Sequence, residues 1–555
     1  MNRHNIQQER GQTQMQPQDS HIPTESSSSP AMSRRRFIQA LGVSTMAGAA
    51  AATMNTPLLP STQAEVSAAP LLTAPLEISD DPDLHVLRRL TFSPTPESLM
   101  HIQDIGRDAF IEEQLAPETI DDSEMDAILA HFPLLTMTNA EIMALPNKER
   151  NQSRNQLQYS TLLRAVYSKR QLFELMVDFW NNHLNTHINA GRVKFYKIND
   201  DRDVIRANAL GRYSDMLLAS AQSLAMLTYL NNNTSRATSP NENYGRELLE
   251  LHTLGEDDGY TEEDVRNAAY VLTGWTYDRK THTFMFKEKW HYEGALQVKE
   301  WSTEGKSGPE GIEDGISLLN YLANHPSTAN RLAYKLCVRF LGENPPADVV
   351  AAAAQAYLDN GTEIKPMLRA IFNSASFNEL SYIGSKFRRP FEFMTAVMRI
   401  YDAQLTEDVP NKAPKTLRNQ LSVMGQPIFG WGPPNGYPDA MGAWVNSTSL
   451  LARWNFTQKL LTRNRKHETL NKFGILIDYR ALIGGSDVPR PETAGELVDM
   501  LAGRLLFQSI SDSDRDILLG YVGVGADELV PEKFYNHTLS QVAALLVNSP
   551  YFQFR

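Results

Sequence analysis

From about residue 80 onward, apolar positions recur three and four apart, and alternating stretches are few. That period predicts a mainly α-helical, multi-helical globular body. Helices are expected over 97–115, 123–131, 153–189, 202–230, 240–254, 262–273, 312–323, 327–341, 347–359, 364–373, 389–404, 447–463, 494–506 and 538–548. Caps support several of them. Thr261 with Asp264 three residues on is a capping box, and Gly274 closes the same helix. Ser239-Pro240-Asn241-Glu242 sets a cap, a first-turn proline and an early carboxylate in order. Thr281 to Lys289 breaks the pattern: it is short and β-prone, and predicts a hairpin-like insert.

These elements suggest a helical half over 80–280, an insert over 281–310 and a second helical half over 311–555, packed on the first. Residues 1–32 are rich in Gln, Ser and Pro and predict a disordered extension. Behind them, Ser33-Arg34-Arg35-Arg36-Phe37-Ile38-Gln39 is a twin-arginine pattern, followed by a weakly apolar run from Ala40 to Ala52. The run is too short for a permanent span. A twin-arginine signal and linker over 33–65 therefore imply export of a folded protein to the periplasm or beyond.

Composition narrows the classes further. The 555 residues are 42% hydrophobic with a single cysteine, which excludes collagen-like, disulfide-stapled and multi-span membrane architectures. Net charge is -12, and about -14 without residues 1–52. An acidic body argues against a protein that tracks nucleic-acid phosphates. Cys337, among Leu336, Val338 and Phe340, reads as packing.

Candidate chemistry lies on two helices. At about 100° per residue, His183 and His187 both fall within about 20° of Met176, on the inward face. Two imidazoles one turn apart can offer nitrogens to one divalent metal ion; core histidines satisfied by a carboxylate or carbonyl are the competing reading. On the helix from Asn241 to Leu254, Glu247 falls at the rim of the core as a candidate acid/base or metal ligand. Glu250 is spaced to pair with Arg246, and a structural ion-pair network is the competing reading.

Between Gly425 and Pro438, eight of fourteen residues are Gly or Pro, interleaved with Phe429, Trp431 and Tyr437. Such a loop either stacks a sugar ring, with Asp439, Gln426 and Asn435 orienting it, or folds back to plug the body. Lys386, Arg388 and Arg389 with Glu392, like Arg88 and Arg89 near His85, offer either an anion site or, more readily, Arg–carboxylate struts between helices. The acidic run from Glu256 to Asp264 lacks calcium-loop spacing and reads as a turn feeding a capped helix.

Several blocks in order carry a likeness: His85 to Phe92, Phe179-Trp180-Asn181-Asn182-His183, Asn241 to Gly255, Gly259-Tyr260-Thr261, Leu272-Thr273-Gly274-Trp275, His291, and Lys386 to Phe393. Together they resemble the bacterial family known as domain of unknown function 1800. The resemblance implies a helical, exported protein, with a co-exported sulfatase- or phosphatase-like protein as partner. It emphasises His183, Glu242, Arg246, Glu247, Glu250 and His291; His187 is not clearly part of the pattern.

Two functions are expected from this reading. One is a metal-dependent hydrolase acting on an envelope or extracellular glycan or polymer. His183, His187 and His291 would hold the metal, Glu247, Glu250 and Arg246 would carry catalysis, and Trp431, Tyr437, Phe429 and Asp439 would hold substrate. The other is a non-catalytic scaffold for the co-exported partner.

Overall fold

The computed structural model describes residues 78–555 except 406–412, 462, 465–466, 472, 474, 479–480, 486–487 and 531–534. The expected N-terminal extension and twin-arginine segment lie outside the described residues. Helices occupy nearly every predicted segment, but the long runs are broken at identifiable residues. Gly106, at φ +85°, separates Pro96–Ile105 from Arg107–Leu115. The run over 153–189 becomes two helices, Gln152–Tyr167 and Gln171–His183. Between them, Asp122 accepts from the Ser168 hydroxyl at 2.7 Å and the Lys169 N–H at 2.8 Å, which holds the link open.

Two helices carry wide π turns. The predicted 202–230 helix resolves into a π turn Asp200–Arg206 and helices Tyr213–Gln222 and Leu224–Tyr229. Glu242–Glu247 runs on as a π turn Leu248–His252, where the Thr253 hydroxyl donates to the Leu248 carbonyl at 2.6 Å. The acidic run is a short 3-10 turn, Glu256–Asp258, leading into the Thr261/Asp264 capping box.

Strands are few and short. Trp275–Tyr277 pairs with Phe284–Phe286, and Leu296–Val298 with Trp301–Thr303, both antiparallel. Gln404–Leu405, Ile475–Leu476, His467–Asn471 and Arg463–Asn464 make a small four-stranded sheet, too brief to leave an alternating signature. One hydrophobic core runs from Val86 to Phe552, and a satellite cluster around Met125, Phe132 and Ile142 sits beside it. Among the described residues, no helix is long and apolar enough to cross a membrane.

Three pieces of this scaffold position the site. The inner face of Gln171–His183 is closed by Leu172, Leu175, Met176 and Trp180, all buried. Pro326–Phe340 buries Leu332, Ala333, Leu336 and Cys337, and the sulfur is packing, its thiol pushed up to about 12 by burial. The third piece is Lys386–Arg388, which pairs with the last residues of the chain: Arg388 N–H donates to the Gln553 carbonyl at 2.8 Å, and Arg555 N–H to that of Lys386 at 2.9 Å.

Candidate functional site

A fully buried carboxylate anchors the region. Glu392, in the first turn of Pro390–Ile400, accepts from the guanidiniums of Arg339, Arg389 (3.2 Å) and Arg555 (3.1 Å), and from the Arg389 backbone N–H at 2.8 Å. Burial pushes its carboxyl up, but the guanidiniums of Arg339, Arg555 and Arg389 outweigh that and hold it well below the usual range. Arg389 also reaches Asp178 at 2.5 Å, and Lys386 reaches Asp439 at 3.1 Å. These are charge struts between helices, as the sequence suggests. Arg88 and Arg388 differ: they bond backbone carbonyls of Ser79 and Leu506, and of Phe552 and Phe554. Arg89 likewise takes the Tyr382 carbonyl and the Ser385 hydroxyl rather than a carboxylate.

Against this hub lies a cavity of about 390 Å³, walled by Gln171–His183, Pro326–Phe340 and the segment around Asn435 to Ala440. His183, Lys335, Arg339, Arg389, Tyr437 and Asp439 all line it. Arg339 is 1% exposed, yet its Nε and Nη2 have no hydrogen-bond partner among the described residues, and neither does Arg389 Nε. The nearest carboxylate oxygens to these two guanidiniums from Asp439 stand at 3.8 Å. These nitrogens are themselves covered, and Glu343 and Asp439 also line the wall, so the two guanidiniums act on a guest through their charge rather than through open N–H donors.

Lys335 is the unusual group in that wall. Its Nζ lies 2.8 Å from His183 Nδ1, and no carboxylate approaches it within 4 Å among the described residues. The far side of His183 fixes the tautomer. Nε2 faces the His252 carbonyl at 3.2 Å and the Tyr213 hydroxyl at 3.0 Å, and that hydroxyl donates its own proton to the same carbonyl. A carbonyl only accepts, so Nε2 carries the proton. Burial, then Lys335, His252 and Arg331, hold the imidazole well below its usual range, so the ring is neutral and Nδ1 accepts from Lys335. Burial first, and then the Arg331 guanidinium, pull the Lys335 ammonium down to about 7, with Asp439 acting the other way. A substantial share of Lys335 is thus free amine near neutral pH.

The aromatic loop folds back onto the body. Tyr437 OH donates to the Pro427 carbonyl at 2.7 Å, and its ring packs between Trp431 and Trp444 at 5.0 and 5.7 Å. Asn185 ties down the Trp431 and Pro433 carbonyls, and Asn182 accepts from the Tyr437 N–H at 3.2 Å. Gly436 sits at φ +71° directly on the Asn182 carbonyl, where any Cβ would collide. Phe429, at φ +54°, lies under the Lys197 ammonium, 5.3 Å from its ring centroid. Of the four residues expected to hold substrate, Tyr437 and Asp439 line the cavity; Trp431 buttresses Tyr437 and binds Asn435 at 2.8 Å, and Phe429 packs elsewhere.

The expected metal set does not assemble. The helix ends at His183, so the one-turn spacing to His187 is never realised, and His187 makes no pair with it. His291 belongs to the hairpin region, where Nδ1 meets the Thr273 carbonyl at 3.0 Å and Nε2 stands 4.0 Å from Asp314. Among the described residues, no group of three His, Cys, Asp or Glu could hold a metal ion. The expected catalytic trio also lies off the cavity. Arg246 forms a bidentate pair with Glu262 at 2.9 and 2.7 Å rather than with Glu250, because Glu262 begins the neighbouring helix. Glu250 accepts instead from Tyr260 at 3.3 Å. Glu247 is half-buried, its carboxyl raised first by burial and then by Glu250, but it does not reach the His183 cavity.

Lys335, Arg339 and Asp178 escape a motif search, yet one signal points to two of them. Arg331, Lys335 and Arg339 stand four apart on one helix, a row of like charges that is unfavourable unless something else answers it. Here the answer is Glu392, Asp178, Asp439 and the lowered proton affinity of Lys335. No curated protein and no solved structure matches the chain. A family model described as "Protein of unknown function (DUF1800)" matches residues 85–554, which takes in the cavity and Glu392 and ends one residue before Arg555; the chain belongs to that family.

Proposed function

We propose that the protein is an exported enzyme that holds an anionic substrate in the His183–Lys335 cavity and uses the Lys335 amine as base or nucleophile. The observation that carries this reading is the lysine itself: lining a cavity, without a carboxylate partner, and hydrogen-bonded to an imidazole that can only accept from it. Amine chemistry takes the place of the metal-dependent hydrolysis that the histidine spacing suggests. The Arg339 and Arg389 guanidiniums in the cavity wall favour a carboxylate, sulfate or phosphate on the substrate through their charge. Export through the twin-arginine sequence places an acidic envelope or extracellular glycan or polymer within reach.

Trace acetylation with acetic anhydride, mapped lysine by lysine, tests the reading. Lys335 is expected to label at pH 7 well ahead of exposed Lys148 and Lys289, and to be protected by sulfate. If Lys335 labels no faster than those two and sulfate changes nothing, the enzyme reading falls. Co-purification with a sulfatase- or phosphatase-like protein would then favour the scaffold. Export is tested by Arg34→Lys with Arg35→Lys, which is expected to leave the protein in the cytoplasm.

A further inference from the structure

Resting on that reading, we propose that Lys335 is a Schiff-base lysine, whose amine condenses with an aldehyde or ketone carrying a carboxylate. The argument is one of placement. A lysine forms an imine when its nitrogen is unprotonated, desolvated and open to a carbonyl carbon, and a neighbouring cation favours that state. Lys335 meets these conditions through its surroundings: Arg331 and Arg339 stand one turn to either side on its own helix, and its Nζ lies over the Phe179 ring, 6.0 Å from the centroid. His183 faces it from Gln171–His183, Asp439 from the loop, and His252 lies behind His183 with ring centroids 6.4 Å apart.

The anionic half of the substrate follows from the same wall. Arg339 and Arg389 line the cavity almost wholly covered, and the nitrogens that Glu392 and Asp178 do not hydrogen-bond are buried as well, so these residues bear on a guest by charge. A fixed positive charge in a partly desolvated wall favours a carboxylate over a neutral group. The volume, about 390 Å³, admits a small organic acid or the end of an acidic chain.

The step balances without a further reagent. The nitrogen lone pair forms the C–N bond, and the carbonyl π pair moves to oxygen. The two amine protons leave with that oxygen as water, giving the neutral imine with no change in oxidation state. His183 Nδ1, which accepts the Lys335 N–H, is placed to take the proton shed as the C–N bond forms and to return it to the departing oxygen. His183 is a positioning residue and proton relay here.

The test uses the full-length protein with glyoxylate and sodium cyanoborohydride near neutral pH, followed by peptide mapping. Reduction of the imine leaves carboxymethyl-lysine. Lys335 is expected to be modified at least about tenfold faster than exposed Lys148, Lys289 and Lys415, as its larger free-amine fraction requires. Acetaldehyde, normalised to the same exposed lysines, is expected to show a smaller preference for Lys335. No preference for Lys335 with glyoxylate overturns the proposal, and an equal preference with acetaldehyde overturns its carboxylate half. If acetic anhydride still finds a reactive, sulfate-protected Lys335 while no imine is trapped, the imine falls and the base reading stands.

Discussion

Lys335 Nζ and His183 Nδ1 are 2.8 Å apart, and the pair stands where a cavity meets a fully buried charge hub. The imidazole is locked by the His252 carbonyl and Tyr213, so it offers one acceptor and no charge. The amine therefore has a hydrogen-bond partner but no counter-ion. Its state is set by burial and by Arg331, and that has consequences for stability.

The folded-state pKa of Lys335, about 7, is below the ordinary 10.5. Between these values the unfolded chain binds a proton that the folded protein does not, so Lys335 costs stability progressively as pH falls from about 10.5 to about 7, and the cost is constant below that. Lys335→Met is expected to raise stability at pH 7 by on the order of a few kcal/mol, with the gain vanishing above the higher pH. Urea titrations of both proteins across pH 6–11 check this; a gain that does not shrink toward high pH contradicts it.

Glu392 behaves in the opposite sense. Its carboxyl is held well below the usual range, so its contribution is present above the ordinary carboxylate pKa and is lost as pH falls below it. Glu392→Gln leaves the guanidiniums of Arg339, Arg389 and Arg555 buried without their shared anion. The expected cost is about 3–5 kcal/mol at neutral pH. The loss should shrink toward acid pH, which urea midpoints at several pH values would show.

Gly436 holds the aromatic loop against the Asn182 carbonyl at a positive φ. Gly436→Ala adds a carbon where backbone already stands, so the loop must lift, at a cost of about 1–3 kcal/mol. Tyr437 would lose its place in the cavity wall, and Trp431 and Trp444 their packing on it. Tryptophan emission shifted to the red, with faster iodide quenching, is the expected signature; an unchanged spectrum contradicts the strapped loop.

The helical character of the body was legible because amphipathic period survives in a single sequence, and caps such as Thr261 with Asp264 show locally. Breaks were less visible where they depend on distant partners: Asp122 opens the link at Ser168, and no residue near 168 announces it. The same gap affected the site. Local pattern singles out His183, Tyr437 and Asp439, which line one cavity, whereas the His183–His187 pairing needs a helix that in fact stops at His183. Glu247 has the desolvated character expected of a rim position, but rim position does not say which cavity it faces. Lys335 gains its chemistry from burial, from Arg331 on its own helix and from the His183 acceptor, and both the burial and His183 depend on other elements.

Arg246 provides a contrast. Its pair with Glu262 is exposed, and neither residue lines the cavity. Arg246→Gln is expected to change stability by no more than about 1 kcal/mol and to leave Lys335 labelling unchanged. A strong fall in Lys335 reactivity would tie the two sites together and contradict their separation.

The protonation of Lys335 is the point on which the account turns, and it can be read directly. Protein labelled with 13C at the lysine ε carbon, with the resonance assigned by its loss in Lys335→Met, is titrated by NMR. The account predicts an inflection at about 7 for this one lysine. An inflection near 10.4, together with the exposed lysines, would contradict it.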